Sequence, residues 1–161
     1  MKVVLLLSLL ISSMSGNAEE LSFALNSKTA PTHELWVTTG FISHHFQTDQ
    51  HLRNNNAGIG LEYRYSTNSA IATGLFNNSD WQTTHYLAWQ YQPLKLGQIN
   101  IGAVLGLFDG YPKMNNGGLF IAMIPAVSVQ YKRLGANLAV VPTYRDRLHG
   151  SASLQLKLKL L

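Results

Sequence analysis

The sequence predicts an all-β fold, an eight-stranded antiparallel up-and-down transmembrane β-barrel. Three observations carry this. Eight segments of roughly ten residues alternate apolar with small or polar side chains, the signature of tilted strands that face lipid on one side and a lumen on the other. Only 12% of the 161 residues are charged, about half the usual share in a soluble domain. Long polar connections alternate with tight turns along the chain, as they do in outer-membrane barrels.

The chain opens MKVVLLLSLLISSMSGNAEE. One lysine precedes an apolar run, and small residues follow at Gly16 and Ala18, so residues 1–18 read as a signal peptide cut before Glu19, too short to span a membrane. The formal net charge is +4; without Lys2 it is about +3. With no cysteine, an exported protein draws no stability from disulfides. Residues 19–33 read as a short periplasmic N-terminal segment ending near Pro31, and residues 34–161 as the outer-membrane barrel.

The first strand is expected over 34–46, where an apolar run ends in His44 and His45. The second, 57–66, sets Ile59, Leu61, Tyr63 and Tyr65 against Gly58, Gly60, Glu62 and Arg64, a strict period of two. The third spans 69–77 and the fourth 83–92, where Leu87, Trp89 and Tyr91 alternate with Tyr86, Ala88 and Gln90. The fifth, 98–108, sets Ile99, Ile101 and Leu105 against Asn100, Gly102 and Gly106. The sixth (119–131) contains Pro125, and the seventh (135–142) ends at Pro142. The last, 151–161, is the cleanest: Leu154, Leu156, Leu158 and Leu160 oppose Gln155, Lys157 and Lys159.

A secreted β-sandwich shows the same alternation. Glycine on the non-apolar face and large aromatics near strand ends favour the barrel. Proline removes a ladder donor, so Pro125 and Pro142 mark either strand ends or a weakened seam between two neighbouring strands. Such a seam would be a sideways door into the barrel.

Several of these features together are similar to one family. A histidine ends the first strand, and a polar loop leads to Gly58-Ile59-Gly60-Leu61. Phe76-Asn77-Asn78-Ser79 follows before a tryptophan, then Ile124-Pro125 and Val141-Pro142. Over about residues 34–161 the chain resembles the PagP-type lipid A palmitoyltransferases, eight-stranded outer-membrane barrels that move a palmitoyl chain from a phospholipid to lipid A. The resemblance implies a monomeric acyltransferase with a phospholipid donor, a lipid A acceptor and no cofactor. It places the family's essential His at His45 or its neighbour His44, with His45 preferred, its Asp at Asn78 and its Ser at Ser79. It makes Pro125 and Pro142 the flanks of a lateral substrate entrance, and puts Gln90 where the family has a glycine at the floor of the acyl pocket.

Asn78 departs from the family's aspartate; Asp80 and Asp49 are candidates to replace its charge. On chemical grounds a rim histidine is a natural general base, with Ser79 and Asn78 as donors or orienters. Paired histidines also suit a membrane interface, and Asn-Asn-Ser also suits an ordinary turn. Arg53, Lys113, Arg145 and Arg147 fall in outer loops, either as holders of lipid A phosphates or as solvated charges. The six histidines lack metal-ligand spacing, and no phosphate-binding glycine loop, GxSxG elbow or nucleic-acid module is present. A non-catalytic barrel that binds a hydrophobic ligand is the main alternative; a lipid A deacylase is another, though no His-x-Ser-Asn strand motif supports it.

Overall fold

The computed structural model describes residues 24–25, 30–47 and 51–161. The expected signal peptide and most of the segment 19–33 lie outside these. The strands are β1 (Ala24–Leu25), β2 (Pro31–His45), β3 (Asn55–Ser66), β4 (Ser69–Asn77), β5 (Thr83–Leu96), β6 (Ile99–Phe108), β7 (Phe120–Tyr131), β8 (Leu134–Val141) and β9 (Ser151–Lys159). From β2 to β9 each strand pairs antiparallel with the next in sequence, and β9 returns to pair with β2. The sheet is therefore a closed eight-stranded barrel, not a sandwich. β1 adds two residues to β5, pairing Ala24 with Lys95 and Leu25 with Leu94.

The bounds depart from the sequence expectation mainly at prolines. β2 begins at Pro31, so residues 31–33 belong to the barrel rather than to a lead-in. Proline is tolerated there because the first residue of a strand need not donate. β5 runs past Pro93 to Leu96 through an irregularity between Tyr91 and Leu94.

Closure gives every strand residue an inside or an outside. Apolar side chains take the outside: Ile59, Ile121, Met123 and Leu156 are more than half exposed. Among the described residues, no Asp, Glu, Lys or Arg points outward from β3, β4, β6, β7, β8 or β9. The inside divides into two halves. At one end the wholly buried Glu62 accepts from Lys157 Nζ at 2.6 Å, Asn137 Nδ2 at 3.1 Å, and Arg64 Nη2 and Gln90 Nε2, each at 3.3 Å. Lys157 also sits 4.9 Å from the centre of the buried Trp36 ring. At the other end an aromatic row crosses the lumen, with ring centres 5.0 Å apart for Phe41–Phe76, 6.0 Å for Phe76–Tyr86 and 6.3 Å for Tyr86–Phe108. Tyr86 reaches across because Gly60 and Gly74 leave room; a Cβ at either would lie within 3 Å of its hydroxyl.

One strand changes phase. Trp36 and Thr38 of β2 point inward, but beyond them the buried residues are Ser43 and His45. The register slips between Thr39 and Phe41 against β3, and between Thr38 and Phe41 against β9. Against β9 the extra residue lies in β2, and against β3 it lies in β3; this β-bulge reverses the facing of the β2 residues that follow. Gly40 sits within it because a Cβ there would lie 2.0 Å from the Asn56 carbonyl oxygen.

Among the described residues, the pairing of β7 with β8 stops short. β6 and β7 pair from Ile99–Val129 to Phe108–Phe120, and β8 and β9 pair along the whole of β8. Between β7 and β8, pairing runs only from Tyr131–Leu134 to Ala126–Ala139. Beyond Ala126 on one side and Ala139 on the other, no ladder joins the two strands. Pro125 and Pro142 flank this stretch and remove two donors that would otherwise need partners.

Gly40→Val should cost on the order of 3 kcal/mol or more, because the clash is with backbone that cannot step aside. The urea midpoint of the refolded barrel measures it, and an unchanged midpoint would mean that β2 passes this point without the bulge.

Candidate functional site

The bulge decides which histidine enters the barrel. His45 is buried, whereas His44 is exposed on the outer wall opposite Ala152. His45 Nε2 lies 2.7 Å from Ser79 Oγ, and its Nδ1 lies 2.8 Å from Asn54 Oδ1. The preferred histidine and the predicted serine therefore meet at one rim of the barrel.

Ser79 is presented by the turn that joins β4 to β5, and Asn78 builds that turn. Its wholly buried side chain donates to Thr84 Oγ1 at 3.0 Å and to the Gly110 carbonyl at 2.7 Å. Its Oδ1 accepts from the backbone N–H groups of Asp80 and Gln82. Every polar atom of the amide is thus used in holding two loops together. Asn78 accordingly makes no hydrogen bond to His45, and the orienting role falls to Asn54 instead. Asp80 does not take that role either: it lines the pocket beside Tyr111 and makes no ion pair among the described residues. Asp49 lies outside the described residues.

The loop carrying Asn54 is strapped to the Ser79 turn. The Arg53 N–H donates to the Ser79 carbonyl at 3.1 Å, and the Trp81 indole N–H donates to the His51 carbonyl at 3.1 Å. The Arg53 guanidinium stacks 4.2 Å from the Trp81 ring centre, a contact that suits a planar cation. Trp81 itself is held at φ +63°, a left-handed conformation that a bulky residue adopts only when its surroundings enforce it. Arg53 is therefore part of the scaffold of this turn, whereas Lys113, Arg145 and Arg147 are exposed on the β6–β7 and β8–β9 loops.

Below the His45–Ser79 contact lies a pocket that runs down the barrel interior. Ser79, Asp80, Tyr111 and His149 line its mouth; Phe41, Phe76, Ala88 and Val104 its walls; Gln90, Gln92, Asn137 and Gln155 its floor. Along β5 its lining runs from Tyr86 to Gln92, about 20 Å of tilted strand at ~3.3 Å per residue. Gln90 stands at the floor and is tied to the buried Glu62. Ala122, Ile124 and Val141, whose backbones border the unpaired β7–β8 stretch, line the same pocket. The pocket is thus edged by this unpaired stretch of the wall. Burial pushes the Tyr111 hydroxyl well above the usual phenol range and the Asp80 charge raises it further, so it stays an O–H group at neutral pH.

This arrangement can move a proton between a hydroxyl and an imidazole beside an apolar cavity, the requirement for chemistry on an ester of a long chain. Among the described residues, no three His, Asp or Glu side chains are grouped to hold a metal ion. Asn54 is the member that sequence reasoning missed. Its signal was the hairpin register: Asn56 pairs with Phe41 and Asn55 with Ile42, so Asn54 falls diagonally across from His45 on the inward face.

Compared with known proteins, the chain matches no family model and no curated protein.

Asn78 and Asn54 should separate cleanly in stability. Asn78→Ala leaves several buried groups unpaired, each costing about 1–3 kcal/mol, whereas Asn54→Ala at the exposed rim should stay within about 0.5 kcal/mol. Chemical denaturation of both variants checks this, and equal losses would contradict the structural role of Asn78.

Proposed function

We propose that the protein is an outer-membrane acyltransferase that moves an acyl chain from a glycerophospholipid to a hydroxyl of lipid A. The observation that carries this reading is the 2.7 Å contact of His45 with Ser79 at the mouth of a deep apolar pocket. An outer wall covered with exposed Ile, Leu and Met supports a place in a bilayer, where only a closed sheet leaves no backbone edge unpaired. Exposed Tyr63, Tyr65, Trp89, Tyr91 and Tyr131 near the end opposite Ser79 suit a membrane–water interface. The likeness to PagP-type enzymes supplies the acceptor.

In this reading the donor's acyl chain enters sideways between β7 and β8, past Pro125 and Pro142, and lies along Ile124 and Val141 toward Ser79. Its ester stays at the rim, where His45 and Ser79 handle the proton. Lys113, Arg145 and Arg147 stand on the loops around the mouth, where cations favour phosphate-bearing lipids. Gln90, in place of a small floor residue, limits the length of chain that fits.

Purified protein in detergent micelles, given phospholipid and lipid A, should add one acyl group to lipid A, read by mass spectrometry. His45→Ala and Ser79→Ala should lower the rate on the order of 10²–10⁴-fold. Unchanged lipid A with the folded wild-type protein would overturn the acceptor assignment. Equal rates in the variants would overturn the site and favour a ligand-binding barrel.

The entrance is tested separately. The chain has no cysteine, so an Ile124→Cys/Val141→Cys variant can be bridged across the seam by a short bis-methanethiosulfonate. Transfer should stop on bridging and return on reduction; full activity while bridged would place the route elsewhere.

A further inference from the structure

We infer that Ser79 is a nucleophile that carries the acyl chain as a covalent ester, with Asn54 as the positioning residue that sets the tautomer of His45. The inference rests on the same site as the proposed acyl transfer, but not on lipid A as the acceptor.

The orientation of the Asn54 amide, with its oxygen toward the ring, selects the direction of each proton. The Asn54 Oδ1 is a carbonyl oxygen and only accepts, so the His45 nitrogen facing it at 2.8 Å carries the proton. A neutral imidazole holds one proton, which leaves Nε2 as a bare lone pair. The group facing it at 2.7 Å is the Ser79 hydroxyl, which must therefore donate. Ser79 has a single proton and uses it here. It cannot at the same time donate to a developing oxyanion, so the role of a simple stabilising donor is closed to it. What remains available is the Oγ lone pair, on an atom that lines the apolar pocket. A nucleophile, a base and an orienting group in hydrogen-bonded sequence is the arrangement that activates an alcohol or a thiol on unrelated folds, with an amide as the orienting group in the thiol case.

The reaction then runs in two balanced halves. Ser79 Oγ attacks the ester carbonyl of the lipid and its proton passes to His45 Nε2. As the ester C–O bond breaks, the lysolipid oxygen leaves with that proton. An acceptor alcohol next attacks the acyl-serine carbonyl and gives its proton to Nε2. The Oγ–carbon bond breaks, and Ser79 recovers a proton from Nε2. If water takes the place of the alcohol, the product is a free fatty acid. The site is therefore also a serine esterase, with ester lipids as substrates and no need of lipid A.

The full chain, refolded in detergent and checked for heat-modifiable gel mobility, is treated with an alkyl fluorophosphonate. The expected result is one phosphonyl group on the peptide containing Ser79, absent in Ser79→Ala. Asn54→Ala should slow labelling on the order of 10²-fold. Asn54→Asp, which still accepts from Nδ1–H but cannot donate, should restore it; a purely structural asparagine would show no such rescue. Imidazole ¹⁵N shifts should report the Nδ1–H tautomer in the wild type. Failure of the folded protein to label, or labelling at another residue, would overturn the inference. Labelled Ser79 with unchanged lipid A would leave it standing and remove the acceptor assignment; acylated lipid A with no label would do the reverse.

Discussion

The meeting of His45 and Ser79 at the mouth depends on the register slip of β2 at Gly40. In a closed sheet each position faces either in or out, and register fixes the choice for the whole strand. Trp36 and Thr38 face inward, so an uninterrupted strand would continue with Gly40, Ile42 and His44. The bulge at Gly40 sends Phe41, Ser43 and His45 inward instead. Phe41 joins the aromatic row, Ser43 reaches Ser153 at 2.9 Å, and His45 reaches Ser79. A bulge leaves one residue without a regular partner, and the local cost is tolerable because glycine lets the backbones approach so closely.

The two halves of the interior serve different ends, and their energetics differ. Burying Glu62, Arg64 and Lys157 is costly, and their mutual attraction offsets this only with full hydrogen bonding. The surrounding amides of Gln90 and Asn137 supply it. The result is a polar layer beneath the pocket, toward the end of the barrel opposite Ser79. Above this layer the walls are apolar and lightly filled, a region that an aliphatic chain can occupy without leaving polar groups unpaired. The polar amides at the boundary mark where such a chain must stop.

Much of this was legible in the sequence because the inward faces are so distinct. Glycine or polar residues on β3, β5, β6 and β9 against Ile, Leu, Tyr and Trp leave little doubt about period, and β4 runs over the residues that alternation predicts. The single glycine at 40 was a visible bulge signal, but its consequence for His44 and His45 appears only when β2 is paired on both sides. Asn78 was placed by the spacing of a family motif, yet turn chemistry governs it: a short amide at the start of a tight connection bonds to the backbone ahead of it. Asn54 was hidden in a loop that the chain spends partly on extending β3. Its role is a diagonal contact across a hairpin, and no linear pattern encodes that.

The seam and the Ser79 site are linked by geometry as well as by proximity to one pocket. A barrel with all strands paired would be sealed to lipid, and its lumen could be entered only from the rim. The β7–β8 ladder stops at Ala126–Ala139, and both residues line the pocket. Proline at 125 and 142 makes the gap cheaper, since two missing N–H groups need no partner in an apolar surrounding. Had the gap lain lower, it would have opened the wall beside Glu62 and its partners; in a bilayer that would cost several kcal/mol per unpaired ion. The gap therefore lies where the interior is apolar, and that same half holds the hydroxyl and the imidazole. On the proposed reading, a chain that entered there would lie mostly against Phe41, Phe76, Ala88, Val104 and Ile124 before its ester reached the serines of the rim.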